Sequence, residues 1–248
     1  EGITVIDAAT GAVIARLSPN QPGVYNFGFF GITADTARNR IYTTKRYMGG
    51  MGLWVITPTA SGYAFEQAIA TDATPYAVAY NPNNDRIYIT FAQLNELRVY
   101  DAETLTQVAA YATGVQDPND PGYGGQGLAV MGECAYVSNY AAGSITVVAE
   151  GPCWEGERPE AGPAPGVPLS GDHRLYLPLV LRGMQTYPNI RTVPVEGRPK
   201  GLAAQDGLIL VTLPEENRVV VLDAQSLQIV REILVAGEHP HTLLLTEP

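Results

Sequence analysis

The feature that most constrains the fold is a pair of short strand patterns that recurs four times along the chain. In the clearest copy, residues 85–90 and 97–102 are rich in Tyr and in the β-branched residues Ile, Val and Thr, and a polar gap separates the two runs. Such runs are typical of β-strands that pair across a turn. The other copies are residues 39–44 with 53–56, 134–139 with 144–148, and 208–212 with 218–224.

The spacing of these copies predicts the fold class. Tyr42, Tyr88 and Tyr136 are separated by 46 and 48 residues, and the interval to Leu210 is longer because a segment is inserted. Each unit carries four strand patterns, for example residues 76–80, 85–90, 97–102 and 107–111. A repeat of about 40 to 50 residues with four strands predicts an all-β protein, a β-propeller of four-stranded blades.

Both ends of the chain carry partial units. Residues 3–15 match a third and a fourth strand, and residues 241–245 match a first strand, so four whole repeats lie between two partial ones. Two interpretations stay open: a closed ring of five blades, one of them three-stranded, or a fragment of a propeller of six to seven blades. An unpaired sheet edge is a liability, which favours the fragment.

An insertion interrupts the repeat. We divide the chain into propeller blades at 1–149, a Pro/Gly-rich insertion at 150–189, and further blades at 190–248. Within the insertion, residues 175–182 form a strongly apolar run that contains Leu177, Leu179 and Leu181. Because an exposed apolar run is adhesive, it either folds back on the propeller or docks against another subunit.

Charge and hydropathy narrow the class of partner. The formal charge of -10 and the absence of a Lys/Arg cluster exclude nucleic acid as a partner. No run approaches the roughly 20 apolar residues of a membrane helix, so we predict no membrane span. A protein partner or self-assembly is the remaining expectation.

Cys134 and Cys153 are the only cysteines. They are either two buried thiols or a disulfide, and export of the protein would favour the disulfide. A metal site built on two cysteines without a nearby His is disfavoured.

The repeat resembles the YVTN family of β-propeller repeats, named for a Tyr-Val-Thr-Asn strand. Residues 136–139 read Tyr-Val-Ser-Asn, and residues 5–11 and 221–227 carry the Asp-containing turn of that family. Thr57 and Ala149 replace this Asp in two units. The resemblance implies a propeller fold and, as functions, surface-layer proteins, lactonase-like hydrolases or subunits of quinone-dependent dehydrogenases.

The loops that follow the fourth and the second strands of each unit gather on one face of a propeller. Such a face could bind a small polar ligand, although solvated loop residues that bind nothing are the favoured interpretation. The ligand-binding candidates in these loops are Tyr25, Arg46, Tyr47, Tyr123, Tyr140, Arg198 and Lys200.

Two short segments carry metal-ligand chemistry, although no cofactor is predicted. Asp117, Asn119 and Asp120 offer oxygen ligands that suit Ca²⁺, but their spacing favours a simple turn. His239 and His241, with Glu215 or Glu216, would suit a transition metal.

The sequence favours a non-enzymatic function. It has no nucleophile elbow, phosphate loop or dinucleotide fingerprint. We therefore predict an exported bacterial binding or assembly module, extracellular or at the cell surface, as in a surface layer or appendage. The alternative is a propeller enzyme of the lactonase or lyase type with a metal at the mouth of the central channel.

Overall fold

The computed structural model describes residues 2–18, 28–46, 50–60, 62–114, 124–151, 153, 189–235 and 240. Within these ranges the chain forms eighteen β-strands, one turn of 3-10 helix at Pro214–Glu216, and no α-helix. No helix in the described part of the chain is long and apolar enough to span a bilayer.

The strands form one hairpin and four four-stranded antiparallel sheets, each built from consecutive strands. The hairpin pairs β1 (Ile3–Ile6) with β2 (Val13–Leu17). The first sheet contains β3 (Phe29–Asp35), β4 (Arg40–Lys45), β5 (Gly52–Thr59) and β6 (Gly62–Ala70). The second contains β7 (Val78–Asn81), β8 (Arg86–Phe91), β9 (Glu96–Asp101) and β10 (Gln107–Ala112). The third contains β11 (Gly125–Met131), β12 (Cys134–Asn139), β13 (Ser144–Ala149) and β14 (Asn189–Pro194). The fourth contains β15 (Leu202–Gln205), β16 (Leu208–Leu213), β17 (Arg218–Asp223) and β18 (Ile229–Leu234).

The predicted all-β fold with four-stranded units is thus confirmed, and its architecture is propeller-like. The hairpin β1–β2 occupies the place predicted for the third and fourth strands of a partial unit. The first strand predicted at residues 241–245 lies outside the described residues. In the third sheet, β14 pairs with β13 from Asn189 opposite Ala149, so the sheet continues after the insertion.

An aspartate closes the turn between the third and fourth strands of three units. Asp101 Oδ1 accepts hydrogen bonds from the backbone N–H groups of Glu103 and Thr104 and from the Thr104 hydroxyl, at 3.2, 2.9 and 3.0 Å. Asp7 and Asp223 accept the equivalent bonds in the other two turns. These side chains satisfy N–H groups that the turn removes from the sheet.

The two units that lack this aspartate have no such turn between their third and fourth strands. Thr57 cannot accept those bonds as a carboxylate does, and β5 and β6 instead stay paired up to Thr59 opposite Gly62. After Ala149 the chain enters the insertion. In both units that lack the aspartate, the connection between the third and fourth strands is therefore different.

The core lies between neighbouring sheets. Tyr42, Tyr88 and Tyr136 occupy equivalent positions on second strands, and all three are fully buried. The first and second sheets bury Leu53, Val55, Ile87 and Ile89 between them. The second and third bury Leu97, Val99, Val137 and Val148. The third and fourth bury Ile145, Val147, Ile209 and Val211. The middle strands carry apolar residues on both faces, because each face is covered by a neighbouring sheet.

At the turn between β3 and β4, one arginine joins the first two sheets. The Arg38 guanidinium donates two hydrogen bonds to Asp85, at 2.8 and 2.6 Å, and one to the fully buried Asp35, at 3.0 Å. The carboxylates of Asp85 and Asp35 raise the pKa of Arg38 above its ordinary value. This ionic contact fixes the sheets relative to each other at one end of their strands.

The first strands of successive sheets contact one another. β3 packs beside β7, β7 beside β11, and β11 beside β15. These four strands therefore lie side by side in chain order, as the inner strands do in a propeller-like fold.

Candidate functional site

A cavity lies where the first strands of the four sheets begin. We call it the axial cavity, and its volume is about 450 Å³. Its lining comprises Phe30, Gly31, Tyr76, Ala77, Gln126, Gly127, Leu128, Lys200, Gly201 and Leu202. Each sheet contributes one larger side chain followed by a small residue, in the dipeptides 30–31, 76–77, 126–127 and 200–201.

A hydroxyl on each second strand fixes the small residue of its own sheet. Each hydroxyl oxygen accepts a hydrogen bond from the backbone N–H of the small residue, with 2.7 to 3.0 Å between nitrogen and oxygen. The donor and acceptor pairs are Gly31 and Thr44, Ala77 and Thr90, Gly127 and Ser138, and Gly201 and Thr212.

Two of the same hydroxyls also join neighbouring sheets. Thr44 Oγ1 donates to the carbonyl of Tyr76, and Ser138 Oγ donates to the carbonyl of Lys200 at 2.7 Å. Each of these hydroxyls therefore positions a cavity-lining residue of the next sheet.

Glycine is required at two of the small positions because the inner strands approach closely. A Cβ on Gly31 would lie 2.6 Å from the backbone nitrogen of Val78, and a Cβ on Gly127 would lie 2.1 Å from the carbonyl oxygen of Lys200. A side chain at either position would push the first strands apart and change the cavity.

One wall of the cavity is aromatic and carries a cation. The ring centroids of Phe30 and Tyr76 are 4.9 Å apart. The Arg46 guanidinium carbon lies 4.2 Å from the Phe30 centroid and 4.4 Å from the Tyr76 centroid. Arg46 directly follows β4, so the strand end places this cation against both rings, at distances typical of cation–π contacts.

The other wall presents polar groups that the described residues leave without partners. Gln126 is 8% exposed, and its amide makes no hydrogen bond within the described part of the chain. Lys200 is half-buried, and its ammonium makes no ion pair or hydrogen bond there. Both groups line the cavity, so either solvent or a bound molecule can hydrogen-bond to them there.

The electrostatic character of the cavity differs from that of the chain. No Asp or Glu is among the described residues that line the cavity, whereas the whole chain has 25 acidic residues and a formal charge of -10. Lys200 in one wall and Arg46 behind the other make the described part of the lining positive, in contrast to the acidic chain.

A second cluster joins two residues that the sequence predicted for this face. The Tyr140 hydroxyl donates to Glu215 Oε1 at 2.6 Å, and the Arg198 guanidinium carbon lies 5.3 Å from the Tyr140 ring centroid. The hydrogen bond to Glu215 is the main reason why the pKa of Tyr140 is raised. Here the polar groups satisfy one another, so the cluster joins the third and fourth sheets and offers fewer unpaired groups than the axial cavity.

The remaining predicted site residues lie outside the described residues. They are the ligand candidates Tyr25, Tyr47 and Tyr123, the metal candidates Asp117, Asn119, Asp120, His239 and His241, and the interaction candidates Leu177, Leu179 and Leu181. The parts of the chain that the structure describes contain no group of three His, Cys, Asp or Glu side chains placed to hold a metal ion.

Sequence reasoning missed Phe30, Tyr76 and Gln126. All three precede a small residue, as Lys200 does, and the repeat aligned on its second-strand hydroxyls would have placed them in one ring. Tyr76 lies in a predicted first strand, residues 76–80, rather than in a predicted loop, and no motif in the sequence marks Phe30 or Gln126.

Cys134 and Cys153 form a disulfide, with 4.8 Å between their Cα atoms. Of the alternatives that the sequence left open, the disulfide is the one observed. It fixes the start of the insertion to the first residue of β12.

No protein-family model matches the chain, and no curated protein matches it. Solved structures do share its fold. The apo form of AztD from Citrobacter koseri superposes with a TM-score of 0.52 at 15% identity, over 86% of this chain and 49% of that one. A protein of unknown function from Bacteroides caccae gives a TM-score of 0.57 at 14% identity, over 93% of this chain and 68% of that one. A protein from Lactobacillus plantarum gives 0.61 at 10% identity, over 94% and 62%.

These similarities concern the fold alone, because the identities are low. The chain spans about half of the length of AztD, with 49% of that protein covered. They support the propeller-like architecture that the four sheets show.

Proposed function

We propose that this protein is an exported bacterial binding module of the propeller type, and that its ligand occupies the axial cavity. One observation carries the proposal: Gln126 and Lys200 line the cavity without partners within the described part of the chain. A few polar groups that converge on a largely apolar cavity are typical of sites that bind a small molecule.

The disulfide supports the exported location in this proposal. Disulfides persist in oxidising compartments and are rare in the cytosol of most cells. The YVTN resemblance agrees with this location. It also adds the finer architecture to the proposal: the chain forms either a closed propeller of five blades or part of a propeller with six to seven blades.

Binding in the axial cavity is testable with a mixed set of small anionic, neutral and cationic compounds. Ala77→Trp would fill the cavity, whereas Ala110→Trp adds the same side chain at an exposed position on β10. We expect saturation-transfer NMR signals from bound compounds with the native protein and with Ala110→Trp, and their loss with Ala77→Trp. Equal signals from all three proteins, each checked for folding by circular dichroism, would place binding elsewhere and contradict the proposal.

Export is testable by fractionating the source bacterium and detecting the protein with an antibody. We expect it in the medium or at the cell surface, with both cysteines resistant to alkylation until a reductant is added. Recovery in the cytosol with two reactive thiols would contradict the exported location but leave the binding proposal intact.

A further inference from the structure

We infer that the ligand of the axial cavity is a small aromatic carboxylate, bound through Lys200, Gln126 and the rings of Phe30 and Tyr76. This inference rests on the proposed function and adds the chemical class of the ligand.

The charge of the ligand follows from the cations at the cavity. The ammonium of Lys200 lies in the cavity lining, whose described residues include no Asp or Glu, and the guanidinium of Arg46 lies 4.4 Å from the Tyr76 ring centroid. A cationic ligand would be repelled from such a site, whereas an anion supplies the counter-charge that Lys200 lacks.

The backbone of the site favours a carboxylate over a phosphate. Phosphate sites commonly use several free backbone N–H groups, arranged as a nest or at a helix end. Here the N–H groups of the four small residues already donate hydrogen bonds to hydroxyls, for example Gly127 to Ser138 at 2.7 Å and Gly201 to Thr212 at 2.7 Å. Among the described lining side chains, the Lys200 ammonium and the Gln126 amide NH₂ remain as donors, which is a donor set suited to a monoanionic carboxylate.

The body of the ligand follows from the opposite wall. Phe30 is 48% exposed although it is a large apolar residue, and its ring lies beside that of Tyr76 at 4.9 Å between centroids. A planar apolar group would cover this aromatic surface by stacking or edge contacts. The volume of about 450 Å³ lies within the range of small-molecule sites.

The test uses three compounds of nearly identical shape: benzoate, benzamide and the benzamidinium cation. We expect isothermal titration calorimetry to show benzoate binding to the native protein, benzamide binding at least tenfold more weakly, and no binding of benzamidinium. Benzoate affinity should also fall as salt rises, since salt screens the attraction.

Two variants and one control assign the contacts. Lys200→Met should weaken benzoate binding at least tenfold, and Gln126→Leu about fivefold, because each removes one polar partner of the carboxylate. Arg191→Met removes an exposed cation on β14 and should leave the affinity unchanged. Melting temperatures measured beside each titration show that the variants are folded.

The outcomes separate this inference from the proposed function. If benzamide or benzamidinium binds as tightly as benzoate, and Ala77→Trp abolishes that binding, the cavity is a ligand site but the carboxylate inference is wrong. If Lys200→Met binds benzoate as the native protein does, or none of the three compounds binds, the inference is also overturned. If the mixed compound set fails as well, the proposed function falls with it.

Discussion

The buried tyrosines of the second strands differ in whether the side-chain hydroxyl has a hydrogen-bond partner. Tyr88 Oη donates to Glu150 Oε2, and Glu150 Oε1 accepts a second bond from Tyr111 at 2.9 Å. Tyr136 occupies the equivalent position one sheet further, but its hydroxyl has no hydrogen-bond partner among the described residues. Burial raises the pKa of both Tyr88 and Tyr136, so both hydroxyls stay neutral at pH 7.

The same substitution should therefore act oppositely at these two positions. We expect Tyr136→Phe to raise the free energy of unfolding by about 1 kcal/mol, because it removes an unsatisfied polar group, and Tyr88→Phe to lower it by about 1 to 2 kcal/mol, because it removes a hydrogen bond to a carboxylate. Urea denaturation of both variants measures the difference. A loss of stability in Tyr136→Phe equal to that in Tyr88→Phe would show that the Tyr136 hydroxyl has a partner.

At the scale of the element, the aspartate turns explain how the repeat connects its outer strands. Asp101 binds the Thr104 backbone and hydroxyl and forms an ion pair with Arg86. These contacts, the backbone bond from Thr104 first, lower the pKa of Asp101 to about 2. The turn is therefore specified locally, by an acceptor and the N–H groups two and three residues further along.

The lowered pKa sets the pH range of the turn's contribution to stability. Because the pKa of Asp101 is lower in the folded than in the unfolded chain, its contribution is present above about pH 4 and is lost as the pH falls through about 2. We expect Asp101→Ala to be less stable than the native protein at pH 7, and the difference to shrink between pH 4 and pH 2. Guanidinium unfolding curves across this range measure it, and a difference that is constant with pH would contradict the role of the carboxylate.

At the scale of the whole molecule, a small number of polar contacts determine how neighbouring sheets are placed. Ser138 is fully buried and links Gly127 of its own sheet to Lys200 of the next. Removing the hydroxyl takes this partner away from the buried Gly127 N–H and from the half-buried Lys200 carbonyl at the edge of the axial cavity.

Ser138→Ala should lower the free energy of unfolding by about 1 to 3 kcal/mol. Thr57→Val is the matched control, because it removes a strand hydroxyl that joins no neighbouring sheet. We expect the control to unfold within about 0.5 kcal/mol of the native protein, because the half-buried Thr57 hydroxyl makes no hydrogen bond within the described part of the chain. If both variants lose the same stability in urea, the bond between the sheets contributes nothing specific.

The disulfide also acts on the whole chain. Cys134 and Cys153 are 19 residues apart, and closing a loop of that size restricts the unfolded chain by about 3 kcal/mol. We expect dithiothreitol to lower the urea midpoint of the native protein and to leave that of the double variant Cys134→Ala/Cys153→Ala unchanged. An equal effect of the reductant on both proteins would mean that it acts elsewhere.

Sequence alone determined the all-β fold, the four-stranded unit and the aspartate turns. These depend on local patterns: alternation along a strand, and an acceptor close in sequence to the N–H groups it binds. Only the tertiary structure brought Phe30, Tyr76, Gln126 and Lys200 together, because they come from four sheets whose placement depends on close contacts at glycines and on hydroxyl bonds between sheets. The repeat determines each sheet, and the packing of the sheets on one another determines the candidate site.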